Sequence, residues 1–116
     1  MLRCCLLNYP WDGQNPIAYY IQRTGYLTIA QAGALTDDLL TKLQTDSYDF
    51  VFLHLSTTDE LIPKSYQEIL NAQRRFIITS PFPKHLYQAY ELAPVSYLTE
   101  PYPFERFLKC IDVLLP

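Results

Sequence analysis

A chain of 116 residues that is 49% hydrophobic suits one domain with an apolar core of its own, without metals or disulfide staples. Nine basic against twelve acidic residues give a net charge of -3 with no basic run, so there is no electrostatic footprint for nucleic acid or an anionic membrane. Of the three cysteines, Cys4 and Cys5 are neighbours in an apolar run, which argues against a disulfide framework or zinc site and for a reducing, cytoplasmic location. The apolar run at the N-terminus, broken by Arg3, is too short for a signal peptide, and no stretch approaches membrane-spanning length.

Leu2 to Leu7 is a mostly apolar strand that stops at the turn formers Asn8-Tyr9-Pro10. Asn15 can cap a helix that begins at Pro16, carries Ile17, Tyr20 and Ile21 on one face, and ends at Gly25. Leu27 to Ala32 is a second strand and Gly33 a turn. Thr36 caps a second helix, with Asp37 and Asp38 in the first turn, where the helix dipole favours acids. Leu39, Leu40 and Leu43 are its buried stripe.

The central strand lies in Asp49 to Ser56. Its unbroken apolar run, Phe50 to Leu53, suits a strand covered on both faces in a parallel sheet. His54, where this strand leaves the core, is either a packed side chain with one satisfied nitrogen or the centre of a site. After a polar loop, a third helix puts Tyr66, Ile69 and Leu70 on one side, and Arg74 to Ser80 forms a fourth strand. Pro83 opens a fourth helix with Leu86, Ala89, Tyr90 and Ala93 inward, which Pro94 ends. Val95 to Thr99 is a weaker fifth strand. Pro103 starts the last helix, with Phe104, Phe107, Leu108, Ile111, Leu114 and Leu115 inward.

Five strands alternating with five helices predict an α/β, three-layer fold: a five-stranded parallel sheet of order 2-1-3-4-5, flavodoxin-like, with its crevice at the carboxyl ends of strands one and three. That topology gathers Asn8, Tyr9, His54, Ser80 and Glu100 around one concavity. A phosphate-bearing cofactor needs a glycine-rich cradle, which Gly13, Gly25 and Gly33 do not form, so no cofactor is expected. Asn8, Tyr9 and His54 are the wrong ligands for magnesium, so no metal is expected either. A Ser80–His54 hydrolase pair lacks a nucleophile elbow and an orienting acid, so no enzyme activity is expected.

The segments Arg3 to Leu7, Asp49 to Leu55, Ile77 to Ser80, Tyr87 to Leu92 and Tyr97 to Lys109 resemble the receiver domain of two-component response regulators, most closely the LytTR-type (LytR/AlgR-like) branch. The last of them is similar to that family's Tyr-Leu-x-Lys-Pro-x-x-x-Glu-Arg-Phe run. The resemblance spans the whole chain and implies the receiver fold. It places Asn8 and Tyr9 at the family's acidic pair, His54 at the phosphoaccepting aspartate, Ser80 at the hydroxyl position and Glu100 at the lysine, with Pro101 following a cis peptide. Acceptor, metal ligands and lysine are all replaced, which implies a degenerate receiver that keeps the fold without the switch.

With an imidazole and a carboxylate where the family has a carboxylate and an amine, His54 and Glu100 are expected either to pair across the pocket or to point into solvent. An acid such as Asp12 or Asp59 turned into the cavity beside an ion would overturn the degenerate reading. The resemblance further implies a non-enzymatic module acting through a homodimer or another protein, at a face of helix four, strand five and helix five. Tyr87, Glu91, Tyr97, Arg106 and Lys109 are the candidate residues of that face. It also implies either a DNA-binding domain following residues 1–116 in a longer regulator or a single-domain adaptor. The alternative from another class is a small-ligand sensor using the crevice at His54, Ser80 and Glu100.

Overall fold

The computed structural model describes residues 1–10 and 13–115. Strands β1 (Leu2–Leu7), β2 (Leu27–Gly33), β3 (Phe50–His54), β4 (Phe76–Ser80) and β5 (Ser96–Thr99) form one sheet of order β2-β1-β3-β4-β5, with every neighbouring pair parallel. The helices are α1 (Ile17–Thr24), α2 (Asp37–Thr45), α3 (Lys64–Asn71) and α4 (Phe104–Asp112).

Alternation along the strands separates two cores. Cys4, Leu6, Phe50 and Phe52 face α1 and α4, where they meet Ile17, Ile21, Phe107 and Ile111. Cys5, Leu7, Val51 and Leu53 face α2 and α3 and pack with Leu39, Leu40, Leu43 and Leu70. Central strands buried on both faces need apolar side chains at every position, which is why β1 and β3 lack a polar stripe. Stacked rings join Phe50 to Phe52 at 6.1 Å and Phe52 to Phe107 at 6.0 Å, and each buried Phe is worth about 1.5–3 kcal/mol of transfer free energy.

The helix ends follow local chemistry. Asn15 accepts the Ile17 amide through Oδ1 at 3.1 Å, and Gly25 closes α1 in the left-handed region at φ 80°. Thr36 accepts the Leu39 amide at the start of α2.

The fourth of the five expected helices is corrected. Among the described residues there are four α-helices, and the segment between β4 and β5 is a short 3-10 turn over Lys84–Tyr87. Ten residues separate Pro83 from Pro94, enough for a helix, so the prolines set where the segment begins and ends, while the Tyr87 hydroxyl, bonded to Ser80 Oγ and the Leu55 carbonyl, draws the turn into the core. The expected inward face is also replaced: Leu86 is 44% exposed and Ala89 and Ala93 face outward, while Tyr87 is buried and Tyr90 stacks on it at 5.7 Å. A spacing of three residues aligns side chains in a 3-10 turn, so the tyrosines at 87 and 90 take the core side instead of an i, i+4 stripe.

Candidate functional site

In a parallel sheet with crossover helices all strands end on one side. There β1 gives way to Asn8, β3 ends on His54, β4 on Ser80, and β5 on Thr99 and Glu100. The order reverses between β1 and β3, which opens a crevice beside His54.

Asn8 has a structural task. Its φ of 64° lies in the left-handed region, which Asn tolerates better than most residues. Its N–H donates to the Gly33 carbonyl at 3.0 Å and its Oδ1 accepts the Leu35 amide at 2.9 Å, which fastens the exits of β1 and β2 together. Tyr9 turns inward and is buried, its ring 5.2 Å from that of His54 and its hydroxyl 2.7 Å from Thr79 Oγ1. Burial raises the Tyr9 pKa well above the usual tyrosine value, more than the hydrogen bond to Thr79 lowers it.

The centre of the arrangement joins β3 to the exit of β5. His54 Nε2 lies 2.9 Å from Glu100 Oε1, with only 7% and 15% of the two side chains exposed. Asn15 donates to the second carboxylate oxygen of Glu100 at 2.8 Å. Burial works to raise the Glu100 pKa, but the hydrogen bonds from His54 and Asn15 and the charge of His54 outweigh it and leave the carboxyl below its ordinary value. The Glu100 amide continues the strand ladder by donating to Ser80 O at 2.7 Å, and the Glu100–Pro101 peptide is cis.

A hollow of about 380 Å³ opens beside this pair, walled by Pro10, Pro16, Pro81, Pro101 and the Tyr102 ring. Both oxygens of Glu100 are already engaged, so what the hollow offers is largely proline surface.

Ser80 does not belong to the crevice, contrary to expectation. It is fully buried, its Oγ lies 2.7 Å from the Tyr87 hydroxyl and accepts the Phe82 amide at 3.1 Å. The cause is the tyrosine drawn into the core by the 3-10 turn. Ser80 therefore forms no pair with His54, and the three-residue ligand crevice is not assembled. Tyr87 is likewise removed from the expected interaction face, being 7% exposed, whereas Glu91, Arg106 and Lys109 are exposed and Tyr97 is half-buried with its hydroxyl donating to Phe82 O at 2.6 Å. Asp59 is exposed, and Asp12 lies outside the described residues. Among the described residues no three His, Cys, Asp or Glu side chains converge as metal ligands, and no helix is long and apolar enough to cross a membrane.

Two participants escaped sequence reasoning. Thr79 was hidden inside an apolar strand, and Asn15 passed as a helix cap alone. Only the register of β3 against β4, which sets His54 opposite Thr79, brings the first of these to the site.

The fold is that of CheY-like response-regulator receiver domains. The response regulatory domain of the protein mrkE from Klebsiella pneumoniae is similar with a TM-score of 0.73 at 17% identity, over 97% of this chain and 94% of that one. A CheY-like response regulator from Mesorhizobium loti is similar with a TM-score of 0.73 at 12% identity, over 98% of each chain. A CheY-like receiver domain from Methylobacillus flagellatus has a TM-score of 0.64 at 17% identity, over 99% of each chain. No protein-family model and no curated protein sequence matches the chain.

Proposed function

We propose that this chain is a pseudo-receiver of the LytTR type: a non-enzymatic domain in two-component signal transduction that takes no phosphoryl group and acts by dimerisation or contact with another protein. The observation that carries this reading is the His54–Glu100 pair at 2.9 Å. It occupies the end of the third strand and the exit of the fifth, where a receiver keeps its acceptor aspartate and its lysine. Asn8 and Tyr9 follow the first strand, where a receiver keeps acids for magnesium. One is spent on a backbone clasp and the other is buried against Thr79. Magnesium binding through one or two carboxylates plus phosphate oxygens has no counterpart in this set.

Function then rests on surfaces. Tyr97 on β5 and Arg106 and Lys109 on α4 border the proposed face, and the proposed partner is a second copy or another protein docking there. Glu91 is turned toward α3 instead, its amide donating to Gln67 Oε1 at 2.7 Å and its carboxylate 3.8 Å from Lys64 Nζ. In the whole protein this domain would precede a DNA-binding domain in the cytoplasm and serve transcription regulation, with no nucleic-acid contact of its own. The small-ligand alternative is less well supported, because Ser80 is sealed in the core and Glu100 has no free oxygen.

The test is incubation with acetyl phosphate and magnesium, followed by intact mass and tyrosine fluorescence, and the same with beryllium fluoride. The expected result is no mass gain and no spectral change. Stable phosphorylation would overturn the reading. Sedimentation of the chain beside an Arg106→Glu, Lys109→Glu variant tests the face, and self-association that the variant weakens is the supporting result for a homodimer.

A further inference from the structure

The two edges of the sheet are built differently. At one, β5 is four residues long and is bracketed by Pro94 and Pro101, and a short strand between prolines is a poor template for a further strand. At the other, β2 runs for seven residues, and no charged residue and no proline occurs between Arg23 and Asp37. Charges and prolines are what natural edges carry to stop another chain from adding to them. β2 has β1 as its only neighbour in the sheet, Thr28 to Gly33 are half-buried, and among the described residues no hydrogen bond from an element other than β1 reaches Thr28 to Ala32. The one protective device present is the shift of register at Ala30, which bends the strand without filling its outward groups.

We propose that β2 is a self-association edge: it pairs antiparallel with β2 of a second copy across a two-fold axis, so that two sheets become one. A two-fold contact needs a surface that matches itself, and an uncharged strand sets no like charges opposite each other when it meets its own copy. The flank agrees. On the α2 side, the hollow beside β2 is lined by Gln31, Ala32, Gly33, Asp38 and Lys42. Asp38 and Lys42 are exposed and of opposite sign, and neither has an ion-pair partner among the described residues. Setting α2 antiparallel to its copy brings Asp38 of one chain towards Lys42 of the other, twice over. A peptide of one charge would gain at one of these side chains and lose at the other, which favours a second copy as the occupant. Pairing uses up β2 in both chains and leaves only the blunted β5 edges, so assembly closes at a dimer and does not run on into fibres.

This surface lies at the opposite edge of the sheet from β5 and α4. It does not depend on the pseudo-receiver reading, and both surfaces can be occupied at once.

The experiment is sedimentation of the whole chain over a range of concentrations, with amide exchange of residues 27–33 measured at both ends of that range. The expected result is a monomer–dimer equilibrium in which amides of 28–32 that exchange freely in the dilute sample are at least about tenfold better protected in the concentrated one. Thr28→Lys with Gln31→Lys sets like charges against each other across the axis and should raise the dissociation constant at least about tenfold, with the urea midpoint of the dilute monomer as the check that the chain still folds. Asp38→Lys alone should weaken the dimer, and adding Lys42→Asp should restore it, because the swap keeps opposite charges facing. A monomer at every concentration, a dimer whose β2 amides exchange no more slowly than the monomer's, or association that survives Thr28→Lys with Gln31→Lys would each overturn the proposal. So would a dimer broken instead by Arg106→Glu with Lys109→Glu, which would place the contact at β5 and α4.

Discussion

His54 and Glu100 stand 2.9 Å apart although 46 residues separate them in sequence, one closing β3 and the other leaving β5. The sheet order makes this possible by placing β4 alone between them, so the two strand ends converge over Thr79. The carboxyl is held below its ordinary value, and the sign of the pH dependence follows. Its contribution to stability is fully present above the ordinary carboxylate pKa of 4.5 and is lost as pH falls through the lowered value. Glu100→Ala should cost about 1–3 kcal/mol near neutrality, because it strands a buried imidazole nitrogen and the Asn15 amide. Urea denaturation of both proteins measures the difference, which should narrow toward pH 3. A difference that stayed constant into acid would mean that the carboxylate's charge plays no part.

Tyr9 and Thr79 make a second buried contact, at 2.7 Å between hydroxyls. Tyr9→Phe should destabilise by about 1–3 kcal/mol, since Thr79 loses its buried partner, and Thr79→Val by a similar amount. The double variant replaces both polar groups with apolar ones of like shape, so its cost should fall clearly below the sum of the singles. Strict additivity in a denaturation cycle would show that the hydroxyls are not coupled.

The sheet order, the strand positions and the four α-helices were legible because each rests on a local pattern: unbroken apolar runs for β1 and β3, the Thr36 cap for α2, and for α1 the Asn15-Pro16 start, where Pro16 and not Asn15 takes the cap position. The meeting of Asn8, Tyr9, His54 and Glu100 at the strand ends was legible for a related reason, since alternation of strands and helices dictates where the ends meet, whereas the side chain of Ser80 is turned into the core. The 84–93 segment misled because Leu86, Ala89, Tyr90 and Ala93 fit a helical face by spacing alone. The prolines at 83 and 94 read equally well as the ends of that helix, and the spacing gave no weight to what a buried Tyr87 hydroxyl gains from Ser80. Asn15 on Glu100 lay beyond sequence reasoning for another reason: a bond spanning 85 residues depends on the packing of α1, which no local pattern encodes.

That same tyrosine provides a direct check of why the segment collapses. The Tyr87 hydroxyl lies 2.7 Å from Ser80 Oγ and 3.3 Å from the Leu55 carbonyl, so it ties the 3-10 turn to the ends of β3 and β4. Tyr87→Phe keeps the ring stacked on Tyr90 but removes both bonds. The expected result is a loss of about 1–2 kcal/mol and faster amide exchange at Leu86 and Tyr90, with the sheet amides unchanged. Unaltered exchange across 84–90 would place the cause of the turn in the prolines alone.

The thiols supply the last prediction. Cys4 and Cys5 are inaccessible in β1, and burial pushes each up to about 12, with the charge of Asp49 adding to the rise at Cys4. Only the thiolate attacks a disulfide reagent, and at pH 8 such groups are ionised to about one part in ten thousand. Cys110 lies on α4, 8% exposed, its pKa also raised by burial though eased by the hydrogen bond to Ser96. In the native chain Cys110 should therefore react first and slowly, and Cys4 and Cys5 only at the rate at which β1 detaches. Because β1 pairs with both β2 and β3, that opening is close to global unfolding. The rate of their modification should then rise with urea along the same slope as the unfolding transition. Rapid labelling of Cys4 or Cys5 without denaturant would contradict a β1 buried at the centre of the sheet.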